Sequence, residues 1–305
     1  SDVCSSDLVG GHENTVVLSC DSGIVSGHAN YVYGDCSIIG GGESNVSCGK
    51  YSFIGSGFSN QTDGCNSAIA GGANNYTKGE CTFVGGGLCN ATTSDFSTII
   101  GGCSNNSIGN YSFIGNGCLN QTCEPYNTIV NGLTNCICCG SPHSFIGSGI
   151  GNKVNCNSCH SSVVSGCLNN NCCTFSFIGG GTTNVNKAPY SSIVGGSGNL
   201  IKNAGSLSCF NFVGGGCGNS TTLCFSSVVG GGDNSASGCH NFIGGGCLNG
   251  TNGYASGTVS GYYNQAGNDF AFVGSGSCNY VNGCFSSVTN GCKNFISQNN
   301  YCLDR

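Results

Sequence analysis

The residues able to do chemistry in this 305-residue chain are mostly cysteines: there are 27, beside five histidines and thirteen carboxylates. One stretch, 156–160, reads CNSCH. That is the spacing for covalent attachment of a c-type haem, through Cys156 and Cys159 with His160 completing the motif. Cys136, Cys138, Cys139 and His143 lie nearby in sequence. With this many cysteines such matches arise by chance, and Cys156 and Cys159 both fall at positions where cysteine recurs along the chain. A structural role is therefore expected, and neither a cofactor nor a metal is assigned. The carboxylates, such as Asp63, Glu80, Asp95 and Glu124, are scattered with no recurring pair, so general acid–base chemistry has no constellation to use. The five histidines sit in different contexts, and His12 and His28 suggest no catalytic role. His143, His160 and His240 share a repeat position with Tyr51, Tyr111 and Tyr126, which predicts packing. No catalytic residues are identified, and the chain is not expected to be an enzyme. Its Gly-rich segments are not phosphate cradles, because no helix follows them.

These residues must be positioned by elements of an unusual chain. Only 7% of residues are charged, the net charge is −6, Gly numbers 56, and Met and Trp are absent. So much Gly disfavours helix. Seven basic residues give no electrostatic footprint for nucleic acid. No apolar run reaches the roughly 18 residues of a membrane span. No basic segment followed by an apolar stretch marks a signal peptide at the N-terminus. Residues 1–8 (SDVCSSDL) resemble adapter read-through and are expected to be a non-native leader.

Self-similarity then fixes the architecture. An Asn follows a Gly by three residues nineteen times: Asn14, Asn30, Asn45, Asn60, Asn75, Asn90, Asn105, Asn120, Asn135, Asn152, Asn169, Asn184, Asn199, Asn219, Asn234, Asn249, Asn264, Asn279 and Asn294. Of the eighteen spacings between these anchors, fourteen are 15 residues, one is 16, two are 17 and one is 20. Six before the anchor stands Ile or Val in seventeen copies, as in Ile54, Ile69, Val84 and Ile99; such β-branched positions favour a strand. The Gly-x-x-Asn segment, as in Gly57 to Asn60 and Gly72 to Asn75, favours a tight turn. All three prolines, Pro125, Pro142 and Pro189, fall at a second corner ten before the anchor. Each unit therefore predicts one longer strand, a turn, a short strand and a corner. Stacked at about 4.8 Å, nineteen units make a parallel β-solenoid of roughly 90 Å. A single repeat domain is expected over 9–296, with a tail at 297–305.

A finer alternation doubles the period to 30. Seven before the anchor, Phe53, Phe83, Phe113, Phe145, Phe177, Phe212, Phe242 and Phe272 recur in every second coil, each with Gly two residues later. Intervening coils put a small residue at the Phe position (Ala68, Thr98) and a mid-sized one at the Gly position (Ala70, Ile100). This predicts volume complementation in a packed layer. Strand parity puts the Ile/Val column inside and the Phe column outside. Eight exposed Phe forgo up to roughly 12–24 kcal/mol of burial, and a soluble monomer rarely leaves such a stripe bare. The stripe is expected to meet copies of itself about a symmetry axis, as a homotrimer.

The unit in 52–62 (SFIGSGFSNQT) and 112–122 (SFIGNGCLNQT) resembles the head repeats of YadA-like trimeric autotransporter adhesins and similar repeats of phage tail-fibre proteins. The resemblance covers about 9–296. It implies a left-handed β-roll wound into a trimeric rod that attaches to cells or matrix, hence an extracellular, cell-surface or virion location and a surface glycan or protein as partner. The chain departs from that family in its 15-residue coils, in Asn where the family favours Ala, and in its many cysteines. A purely structural rod or filament subunit is the alternative reading.

Several columns carry further expectations. Cys103 over Cys118, and Cys209 over Cys224 over Cys239, are stacked at the spacing a disulfide can bridge. Coil-to-coil staples are expected in an oxidising compartment, with reduced thiols filling turns as the alternative. The anchor Asn often begins an Asn-x-Ser/Thr sequon, which reads either as a glycan acceptor or, stacked, as an amide ladder; the ladder is preferred. Thr62, Thr77, Thr92 and Thr122 form part of one column, and a flat Thr array of that kind would suit ice binding. The insertion at 200–209 reads as a contact loop or as a tolerated lengthening.

Overall fold

The computed structural model describes residues 7–17, 19–155, 157–205 and 208–303. Among them the chain is all β, a parallel solenoid of about 20 coils without an α-helix. It packs as two compact units, Ser1–Gly151 and Asn152–Arg305. The division falls at Asn152, the anchor with a 17-residue spacing on each side.

Each unit is built the same way. In the first, strands from Asp7–Leu8 to Phe145–Ile146 form one parallel ladder, and strands from Thr15–Val16 to Cys136–Ile137 form another. In the second, the ladders run from Ser162–Val163 to Cys302–Leu303 and from Lys153–Val154 to Phe295–Ile296. A third set of single-residue bridges joins the positions two before each anchor, as in Phe58 to Ala73 to Leu88. The pairing reaches Asp7, Leu8, Cys302 and Leu303, past the expected limits of 9 and 296; residues 1–6 of the expected leader lie outside the described residues.

Every described strand is two residues long, shorter than the sequence predicts. The cause is positive φ at three places in each coil: nine before and one before the anchor, as at Tyr51 (φ 56°) and Ser59 (φ 52°), and at the Gly three before it, as at Gly57 (φ 111°). Such a backbone costs an ordinary L-residue about 1–2 kcal/mol. Here it helps turn the chain within each coil and brings like residues over like.

Four columns point inward. Ile54, Ile69, Val84 and Ile99 are fully buried, as parity predicts. So are the anchor Asn, the Ser eight before it, and the residue two after it. This last finding corrects one reading: Thr62, Thr77, Thr92 and Thr122 are buried, because they share the inner face with the Asn two residues earlier. That column presents nothing to ice.

The polar columns are tied into ladders. The Asn60 backbone N–H donates to Asn45 Oδ1 at 3.0 Å, and its Nδ2 donates to Asn45 Oδ1 (3.1 Å), to the Ser56 carbonyl (3.2 Å) and to the Gly72 carbonyl (2.9 Å). The amide ladder is thus the role the structure gives these Asn. Buried and fully engaged, they are closed to glycan attachment in the folded chain. A parallel hydroxyl ladder was legible only as strand-favouring Ser: the Ser52 N–H donates to Ser37 Oγ at 3.1 Å, while Ser37 Oγ and Ser52 Oγ both donate to the Gly49 carbonyl at 2.8 Å. The Gly column enforces close stacking. A Cβ on Gly57 would lie 2.1 Å from the Gly72 carbonyl oxygen and 2.6 Å from Asn60 Nδ2, at φ 111°.

Candidate self-association surface

The outward face of the first ladder carries the feature that the sequence singles out. Phe53, Phe83, Phe145, Phe177, Phe212, Phe242 and Phe272 are between 36% and 45% exposed, and Phe113 is half-buried. The pairing sets each Phe beside small residues of the neighbouring coils, as in Phe83 between Ala68 and Thr98. The rings do not stand free. Six of the eight lie over the Gly two residues on: a Cβ on Gly55, Gly85 or Gly179, for example, would sit 3.3–3.5 Å from the ring's Cε1. The same Cβ would be 2.3 Å from the next coil's carbonyl oxygen. The Gly is therefore required by backbone approach as well as by ring volume, a reason invisible in the alternation alone. In the intervening coils the outward position is filled by Ile100, Val130, Val164, Val194, Val229 and Val259, all exposed.

A second aromatic column flanks this stripe, two residues upstream of the Phe positions, and sequence reasoning noted it only as shared packing. In the first unit Phe96, Tyr111, Tyr126 and His143 stack face to face, with centroids 4.7–5.1 Å apart and planes within 6°. In the second unit His160, Phe175, Tyr190, Phe210, Phe225 and His240 continue in the same manner at 4.9–5.2 Å. These residues occupy the left-handed corner position, with φ 52–60°, where bulky side chains are rare. Ring stacking of about 0.5–1.5 kcal/mol per pair offsets that strain. Most of these rings are half-exposed. With positions nine, seven and five before the anchor all outward and largely apolar, the exposed face is three columns wide rather than one.

The stacked cysteines are neighbours, but the staples expected between them are not formed: Cys103, Cys118, Cys209 and Cys239 are thiols. Cys103 and Cys118 are bridged neighbours, and the Cys118 thiol is held up first by burial and then by its hydrogen bond to Cys103. Cys209 Sγ and Cys224 Sγ are 3.2 Å apart, a hydrogen-bonding contact and not a covalent bond. That contact, followed by burial, raises the Cys209 thiol, and Cys239 adds to the effect. Cys20, from the same column, is disulfide-bonded. Cys123 is pushed up to about 12, first by burial and then by Cys139 and Cys138.

Of the haem-like motif, Cys156 lies outside the described residues. His160 is a rung of the aromatic ladder, its ring 4.9 Å from Phe175 and within 7° of parallel, the packing role that its column predicts. In the insertion, 202–205 is exposed, and Ser208 closes its base by donating to the Lys202 carbonyl at 2.5 Å and the Thr222 carbonyl at 2.8 Å; Ser206 and Leu207 lie outside the described residues. No helix among the described residues is long and apolar enough to cross a membrane. In comparison with known proteins, the chain matches no protein-family model and no curated protein sequence. Its class is that of the parallel β-solenoid proteins.

Proposed function

We propose that the chain is a segment of an extracellular attachment fibre, in which three copies associate through their outward Phe faces and display the polar turns repeatedly to a cell-surface glycan or protein. The observation carrying this reading is the apolar face three columns wide on each unit. Because the rings are already more than half buried within the chain, the eight Phe leave roughly 5–10 kcal/mol of burial unrealised, less than the upper bound taken from sequence. The flanking aromatic ladder and the Val and Ile between the Phe enlarge that apolar area, and exposed apolar patches of this kind mark association sites. Closed symmetry about an axis satisfies every copy's stripe at once, whereas an open contact grows filaments. Repeated turns on a stiff scaffold gain affinity by multivalency. Catalysis has no part in this reading.

Sedimentation equilibrium of the native chain, with and without reductant, tests it. A mass near three chains in both conditions supports the closed seam. A stable monomer sinks it, and a mass that rises with concentration without limit favours the structural filament subunit instead.

A further inference from the structure

Near the start of the described chain, the column two before the anchor changes character. Farther along it carries no ionisable side chain other than Cys and Tyr, as at Phe58, Leu88, Cys103 and Thr182, but its first three members are His12, His28 and Glu43. Parallel bridging from His12 to His28 to Glu43 fixes these side chains in successive coils. The two imidazoles stack with centroids 5.5 Å apart and planes within 12°. Glu13, beside His12 in sequence, reaches both. Its Oε1 is 3.5 Å from His12 Nδ1 and its Oε2 is 3.4 Å from His28 Nε2. The ligand atoms of His12, Glu13 and His28 all lie within 4.8 Å of one another. On its other side, His28 Nδ1 faces Glu43 Oε1 at 3.8 Å.

We propose that His12, Glu13 and His28 form a binding site for a divalent first-row transition ion of the zinc type, with Glu43 positioning His28. The ligand set is two neutral nitrogens and one carboxylate, which suits zinc, cobalt or nickel; magnesium and calcium require oxygens throughout. Four ligands held at 2.0–2.1 Å around a tetrahedral ion are separated by roughly 3.3–3.5 Å. Each imidazole nitrogen is already at that separation from one oxygen of Glu13, and all the ligand atoms lie within 4.8 Å, so rotation of the exposed side chains can bring one Glu13 oxygen and both nitrogens around an ion. A fourth position stays open for water, since the cluster is exposed. The Glu43 carboxylate has the place of an outer partner that accepts the second N–H of a metal-bound imidazole and fixes its tautomer. Binding there would clip two successive coils together at their side chains.

Cobalt(II) titration of the full chain, followed by visible absorption, tests the site. The chain's thiols also bind cobalt, but thiolate ligation adds strong charge-transfer bands that a nitrogen–oxygen site lacks. The wild-type spectrum minus that of His28→Gln should retain one equivalent of tetrahedral d–d absorption free of those bands. His12→Gln, altered at a more exposed position, should lose the same component, so a folding defect in one variant does not decide the matter. Glu43→Gln should keep the spectrum and weaken affinity about ten- to a hundredfold. A blank difference spectrum in both histidine variants overturns the proposal and leaves an imidazole–carboxylate ion-pair cluster only.

Discussion

A single buried Asn amide satisfies polar groups in its own coil and in the next. Asn75 Oδ1 accepts from the Asn90 N–H at 3.0 Å, and Asn75 Nδ2 donates to the Gly71 carbonyl at 3.0 Å and the Gly87 carbonyl at 3.0 Å. The Gly87 oxygen keeps a second donor, the Ala73 N–H, but the other two groups do not share that insurance. Asn75→Ala should therefore cost about 2–4 kcal/mol, because a buried backbone group stripped of its partner costs about 1–3 kcal/mol. A lowered urea midpoint with an unchanged slope would register it; an unchanged midpoint would mean the ladder adds nothing to stability. The thiols set a second expectation at this scale. Cys123, with its thiol pushed up to about 12 by burial and by Cys139, stays protonated near neutrality and gains thiolate only as the pH approaches that value. Since the thiolate is the nucleophile, iodoacetamide should label Cys123 slowly at neutral pH and progressively faster above it. Peptide mass spectrometry would follow this, and labelling independent of pH would contradict the assignment.

At the scale of the coil, adjacent glycines have opposite duties. Gly72 sits at φ 90°, and a Cβ there would lie 2.3 Å from the Gly87 carbonyl oxygen. Gly71 has no such backbone demand, and its Cβ would meet nothing nearer than 3.7 Å. Gly72→Ala should destabilise by more than about 2 kcal/mol through strain and separation of the stacked coils, while Gly71→Ala should stay within about 0.5 kcal/mol of neutral. Thermal unfolding of the two variants decides it, and equal losses would mean that coil spacing is not set by that Gly column. The same reasoning explains the two-residue strands. Left-handed corners at Tyr51 and Ser59 leave no room for a longer one, and the ladders make up in repetition what each strand lacks in length.

Across the whole molecule the inner faces are closed by ladders and the outer Phe face is not. Charge does little of the holding: one lysine–carboxylate pair, Lys50 Nζ to Asp35 Oδ2 at 2.9 Å, is present among the described residues, and it is exposed. Association should therefore depend on apolar contact. The double variant Phe83→Lys with Phe113→Lys points its new charges outward from the first unit and should leave the far-ultraviolet circular dichroism unchanged. Light scattering should report a fall from oligomer to monomer, whereas an unaltered mass would place the self-association surface elsewhere.

The 15-residue period, the inward Ile/Val column, the Asn ladder and the outward Phe column were all legible in the sequence. Each is a repeated side-chain choice, and stacking at a fixed period turns repetition directly into neighbours. Tertiary structure alone decided the rest. The left-handed corners nine before and one before the anchor are mostly occupied by residues other than Gly, such as Tyr51, Asn66, Cys81 and Ser59, so composition does not mark them. The aromatic ladder was readable as a column but not as parallel rings. The Thr column changed sides because parity counted from the Asn, across a turn, was not fixed by the Ile parity on the preceding strand. His12 and His28 share a repeat column that the sequence shows, but only the structure turns the Glu13 side chain to reach both imidazoles.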